Sequence, residues 1–178
     1  ASSQNIVVSE IMYHPADPTL PEIEAGFTDA DQFEFIELLN IGDRVTELSG
    51  SRFVSGIDYE FESGSLLGPG DRIVIARNRS AFLNRNPDAS SWLAPKEFSN
   101  DTGLDNGGER LRLVGIASDE IRNFVYDDKR PWPEGADGGG HSLNLINAKD
   151  SPDHSLSENW TMSSQGDGTP GQEDDGLS

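Results

Sequence analysis

Apolar residues fall in short runs rich in Ile, Val, Leu and Phe, and Gly, Pro, Asn and Asp interrupt them at close intervals. Runs this short leave no room for alternating strands and helices, so the pattern predicts an all-β chain. In the first run, residues 6–13, Ile6 and Val8 share a face that Glu10 would continue, while Val7 and Ile11 break strict alternation. A strand covered on both sides near its middle follows. Residues 33–40, Phe33-Glu34-Phe35-Ile36-Glu37-Leu38-Leu39-Asn40, are apolar on both faces and predict a central strand. Shorter strands are expected at 45–48, 52–54 and 57–61. Gly68-Pro69-Gly70-Asp71 then makes a turn into a buried strand at 72–76. Charge alternates with Leu over 109–114, the signature of a half-exposed strand, and a turn at 115–119 returns the chain along 120–126. The last strands are predicted at 142–146 and 159–162.

One helix interrupts this pattern: Ser80 can cap a short turn of Ala81, Phe82 and Leu83 that Asn86-Pro87 stops. Residues 88–102 read as loop. Two longer stretches, 14–32 with Pro15, Pro18 and Pro21, and 127–140 with Pro131 and Pro133, show no period at all. Loops of that length are either functional or mobile. Residues 172–178 are acidic and carry little to bury, so a disordered tail is expected there, after a domain over 1–171. About nine strands with one short helix and long loops make a β-sandwich.

The chain has 178 residues, enough for one domain of ordinary size, and 13 Lys and Arg against 32 Asp and Glu give 13 − 32 = −19. That balance repels phosphate backbones and anionic leaflets, so neither nucleic acid nor membrane insertion is expected. Cysteine is absent, which removes disulfides, thiolate nucleophiles and Cys-bearing zinc sites together. No run approaches the ~20 apolar residues of a membrane span. Ala1-Ser2-Ser3-Gln4 lacks the parts of a signal peptide, which implies a cleaved signal or an excised piece. Acidity with abundant Gly, Asp and Asn favours an extracellular or cell-surface setting.

Candidate chemistry is sparse. His14, His141 and His154 are the only histidines and none stands at HxxxH spacing, whereas a zinc hydrolase needs imidazoles held close together. His14-x-x-Asp17 is the best start for a hydrolase reading based on His14 and acids of the first long loop. No Gly-x-Ser-x-Gly elbow occurs, and the glycine-rich stretches lack the Lys-Ser/Thr of a phosphate cradle. Glu34 and Glu37 lie three apart on strand text and face opposite sides, so they form no acid/base pair. Calcium is the one cofactor the chain suggests, with hard oxygen donors at Asp29, Asp31, Asp127 and Asp128, although no standard calcium-loop spacing is present. Trp132, between two prolines in a long loop, and His14 are the candidate ligand contacts, and Trp132 could stack on a sugar ring. Trp160 lies in strand text and reads as core.

The order of several pieces resembles the lamin-tail domain, the immunoglobulin-like module of nuclear lamins and of diverse exported bacterial proteins. The pieces are Ile6-Val7-Val8-Ser9-Glu10-Ile11-Met12-Tyr13-His14-Pro15, residues 33–40, Leu48-Ser49-Gly50, and Leu67-Gly68-Pro69-Gly70-Asp71 running into residues 72–75. Asn106-Gly107-Gly108-Glu109-Arg110-Leu111-Arg112-Leu113, Trp160 and Thr169-Pro170-Gly171 complete them, so the similarity spans about 6–171. The text is closer to the bacterial branch than to lamins. Ser51 departs from that branch, which often has Trp after Leu-Ser-Gly.

The resemblance implies an immunoglobulin-like β-sandwich and a non-catalytic binding or positioning module in a larger protein, with no family catalytic residues to carry over. It implies strand pairing and turn formation for Glu37, Asn40, Gly50 and Gly70. The expected partner is a protein or polysaccharide held by residues 14–32 and 127–140, and the isolated domain is expected to be monomeric. A calcium-dependent carbohydrate-binding or adhesion module is the alternative.

Overall fold

The computed structural model describes residues 5–174. Strands β1 (Ile6–Met12), β2 (Phe35–Asn40), β7 (Arg72–Ala76), β8 (Leu93–Glu97), β11 (Leu143–Leu145) and β12 (Trp160–Met162) form one sheet, ordered β12-β11-β1-β2-β7-β8. A second sheet, ordered β10-β9-β4-β5, contains β4 (Arg52–Ser55), β5 (Tyr59–Glu60), β9 (Glu109–Val114) and β10 (Glu120–Tyr126). β3 (Thr46–Glu47) and β6 (Leu66–Leu67) make a small ribbon. Every pairing is antiparallel except the parallel pair of β7 with β8. The chain is an all-β, immunoglobulin-like sandwich, with twelve strands among the described residues where about nine were expected.

One core lies between the two larger sheets, where Ile6, Val8, Ile11, Ile36 and Leu38 meet Phe53, Leu111, Leu113 and Phe124. A smaller one, with Met12, Phe35, Val74, Ala76, Phe82 and Leu93, lies on the other face of the six-stranded sheet beneath helix α2 (Arg79–Arg85). β2 is the central strand its two-faced text predicts, between β1 and β7.

The irregular alternation of residues 6–13 has a structural cause. Val8 pairs with Leu38 but Glu10 pairs with Glu37, so Ser9 is an extra residue in β1. Such a bulge moves everything after it to the opposite face. Ile11 therefore joins Ile6 and Val8 in the main core, and Glu10 turns away from that core rather than continuing the Ile6 and Val8 face.

Other expectations need correction. Residues 14–32 contain a second helix, α1 (Leu20–Glu24), which Thr19 and Glu22 start as a reciprocal capping box. Phe33 ends a 3-10 turn, so β2 begins at Phe35. The cap of α2 is Asn78, whose side chain accepts from the Ala81 N–H, and not Ser80. The loop expected over 88–102 contains β8. Its text, Leu93-Ala94-Pro95-Lys96-Glu97, does not alternate and includes proline, which a sheet tolerates at an edge such as this one. The tail expected over 172–178 is anchored where it begins: Asp174 is buried and accepts from the Ser164 N–H at 2.8 Å. Residues 175–178, like 1–4 where the signal was considered, lie outside the described residues.

Candidate functional site

The two long loops meet. His14 Nδ1 lies 2.9 Å from Asp137 Oδ1, the ring packs against Gly138, and Ala16 packs against Gly140. His14 thus pairs with an acid of the second loop and not with Asp17, its partner in the hydrolase reading. Tyr13, just before the first loop, is buried and packs against Tyr126 with the rings tilted by 37° and their centroids 5.0 Å apart. Its phenol is pushed well above the usual range, by burial first and then by the charges of Asp137, Asp128 and Asp127.

The first loop is held from its other side. Arg85 on α2 donates to both carboxyl oxygens of Glu22 at 2.9 Å and to the Ala16 carbonyl at 3.3 Å. With Glu22 turned inward, Leu20 and Ile23 face out on α1, 75% and 43% exposed. Spaced three apart, they are neighbours on the helix surface.

The calcium candidates are engaged locally. Asp29 caps the 3-10 turn by accepting from the Asp31 N–H at 2.9 Å, and Asp31 lies 3.8 Å from the Arg77 guanidinium. Asp127 accepts from the Lys129 N–H at 3.0 Å, which holds its carboxyl below the usual range, while a shared hydrogen bond with Asp127 raises Asp128. Among the described residues, no group of three or more His, Asp or Glu side chains is arranged to hold a metal ion.

Trp132 is a correction. It is 8% exposed, belongs to the main core and packs on Trp160 at 6.3 Å between ring centroids, so its ring is not presented to a ligand. That orientation is set against Trp160, a distant partner that loop composition does not encode. Trp160 is core, as its strand text predicts.

The most concentrated polar chemistry lies where the sequence reading assigned only strand pairing. Glu10 and Glu37 are direct partners across β1 and β2, both fully buried on the outer face of the six-stranded sheet. Glu10 Oε2 accepts from Ser142 Oγ at 2.6 Å and from the Thr169 N–H at 2.9 Å. Glu37 accepts from Ser9 Oγ at 2.8 Å and the Gly171 N–H at 2.6 Å, and pairs with Arg72 Nε at 3.2 Å. The chain over 169–174 therefore lies across both carboxyls as a strap. Asp174 fastens its end, accepting from Thr169 Oγ1 at 3.0 Å, and Trp92 packs directly on Gly171, whose φ of +81° suits glycine. Beside it opens a cleft of about 280 Å³ lined by Ser9, Glu37, Arg72, Asn144, Lys149 and Asp174, among others. Burial raises both carboxyls, Glu37 to about 7 and Glu10 well above its ordinary value. The signal in the text was a glutamate at the centre of each apolar strand. The bulge that brings the two together has no such mark.

The remaining motif positions serve turns. Asn40 donates to the carbonyls of Arg44 and Leu67 and accepts from the Gly42 N–H, tying the turns that follow β2 and β6 to the end of β2. Gly50 adopts φ +74° beneath Ile116, and Gly70 adopts φ +76° while donating to the Asn40 carbonyl at 2.9 Å.

Residues 1–128 match the family model described as Lamin Tail Domain. That span includes Glu10, Glu37, Asn40 and Arg72, while the strap lies beyond it. No curated protein matches the chain.

Proposed function

The chain belongs to the lamin tail domain family, and from that premise we propose that it is a binding module of a secreted or cell-surface protein, holding a protein or polysaccharide partner on its joined long loops. Domains of this family are immunoglobulin-like and generally non-catalytic. One observation carries the reading: Leu20 and Ile23 stand exposed on a helix fixed from below by Glu22 and Arg85. Exposed apolar side chains on a rigid support are what a partner can cover without a large ordering cost. The base of that loop is braced by the second long loop through His14 and Asp137. Among the described residues a hydrolase finds little support: His14 pairs with Asp137, His154 is buried, and Ser163, whose hydroxyl lies 3.4 Å from His141 Nδ1, is itself buried and donates to the Gln165 carbonyl.

The test is retention of immobilised domain on a panel of extracellular matrix proteins and insoluble polysaccharides, with millimolar calcium or with chelator. Leu20→Ser with Ile23→Ser should weaken retention of the bound panel member at least tenfold while leaving the melting temperature unchanged. Retention equal to that of the unaltered domain would overturn the reading, and loss of retention in chelator alone would favour the calcium-dependent module.

A further inference from the structure

We propose that residues 169–174 form a proton-linked strap, closed over the outer face of the large sheet while at least one of Glu10 and Glu37 is protonated and released when both are ionised. The geometry pairs one strap amide with each carboxyl: Thr169 N–H with Glu10 at 2.9 Å and Gly171 N–H with Glu37 at 2.6 Å. Closure removes both carboxyls from water, so ionisation in the closed state sets two like charges against each other in a poorly solvated site.

The groups around the pair do not neutralise it. From β7 comes one guanidinium, Arg72, and from the strap a third carboxyl, Asp174, whose charge acts on Glu10. Lys149 and Asp150, after β11, and Glu173 line the adjoining cleft and cancel to a single negative charge. With Glu10 and Glu37 both ionised, the pair and Arg72 would together carry 1 − 2 = −1 in the closed site. Glu10 Oε1 is buried with no hydrogen-bond partner, so an ionised Glu10 would leave one oxygen unsatisfied in the closed state. The strap amides favour the ionised form, but burial is the larger effect at both residues.

Lifting the strap admits water to both carboxyls and returns them toward ordinary acidity. The closed state therefore holds more protons than the open one, and rising pH favours opening. Opening would uncover Glu10 and Glu37 and join them to the adjoining cleft lined by Ser9, Asn144 and Arg72.

Amide hydrogen exchange followed by NMR tests this. Protection of Thr169 and Gly171, corrected for intrinsic exchange, should fall at least tenfold between about pH 6 and pH 8, while Leu111 and Leu113 in β9 keep theirs. Glu10→Gln, which keeps an acceptor and cannot ionise, should abolish most of that fall. Protection at the strap independent of pH overturns the proposal, and so does a fall that persists unchanged in the variant. Should Glu10→Gln not fold, carboxyl carbon shifts of the unaltered protein decide: Glu10 and Glu37 must titrate together with strap opening, and titration of both in the ordinary carboxylate range overturns the proposal.

Discussion

Arg85 grips Glu22 with two hydrogen bonds of 2.9 Å, and its guanidinium lies 3.6 Å from the centre of the Phe33 ring. Both side chains are buried, although they stand on segments that the sequence separates by 63 positions. Removing one member of a buried pair leaves the other uncompensated, at about 3–5 kcal/mol. Arg85→Ala should lose stability of that order in urea unfolding and expose residues 14–32 to limited proteolysis. Arg85→Lys should restore only part, because a point charge cannot reproduce the two-pronged contact. Unaltered proteolysis of the loop in Arg85→Ala would show that the pair does not hold it.

Strands whose periodicity is local could be read directly. β9 and β10 appear at the residues that alternation marks, and β7 follows the Gly-Pro-Gly turn that feeds it. What the text hid were features decided by distant partners. β8 is a strand because β7 offers it an edge, and Glu10 faces outward because of the extra residue at Ser9. The loop candidates show the same division. His14 reads in sequence as a loop residue open to a ligand, whereas Asp137, its partner 123 positions away, carries no mark there. Trp132 looked exposed by its surroundings in sequence and is buried by its surroundings in space.

Trp132 packs on Trp160 inside the main core, so its loss should act on stability. Replacing a buried tryptophan by alanine typically costs about 3–5 kcal/mol. Trp132→Ala should lower the unfolding midpoint accordingly, and Trp132→Phe should recover much of the loss. Partner binding per folded molecule should stay the same. A stable Trp132→Ala protein with specifically weakened polysaccharide retention would restore the ring to a ligand-contact role.

Glu34 is buried between the Leu104 N–H at 2.7 Å and the Arg77 guanidinium at 3.1 Å. Burial outweighs both contacts and raises its carboxyl to about 8. Because the folded protein holds this proton more tightly than the unfolded chain, the associated stability is complete below the ordinary carboxylate range and is lost as pH rises toward 8. Glu34→Gln escapes that loss. Relative to the unaltered protein, the variant should gain on the order of 2 kcal/mol between about pH 6 and pH 9. Parallel melting profiles for the two proteins across that range would contradict the assignment.

His154 answers for the bulge in β1. Next to the extra residue Ser9, the Val8 N–H donates to His154 Nε2 at 3.1 Å, across 146 positions of sequence. The other ring nitrogen, Nδ1, lies 2.9 Å from the Pro152 carbonyl, which can only accept. The proton therefore sits on Nδ1, and Nε2 keeps a free lone pair for Val8. Phe124 and Trp160 enclose the ring at 5.1 and 5.7 Å, and burial, reinforced by the charge of Arg122, lowers its pKa to about 4. Protonation would oppose two N–H groups at the Val8 contact. For a base depressed in this way, the stability is complete above the ordinary imidazole range and is lost as pH falls toward 4. Together with Glu34, this places the stability maximum on the mildly acidic side of neutral. His154 contributes a limb of falling stability between about pH 6 and pH 4, against the rise that Glu34 adds over the same interval, and His154→Gln, which keeps an acceptor but does not titrate, should flatten that limb in the difference between the two melting profiles. His154→Leu should flatten it too, at a cost of about 1–3 kcal/mol at neutral pH for the stranded Val8 N–H. Nitrogen-15 NMR should find the Nδ1–H tautomer at neutral pH and no protonation of this ring until pH nears 4, whereas a His154 resonance that titrates above pH 6 would refute the arrangement.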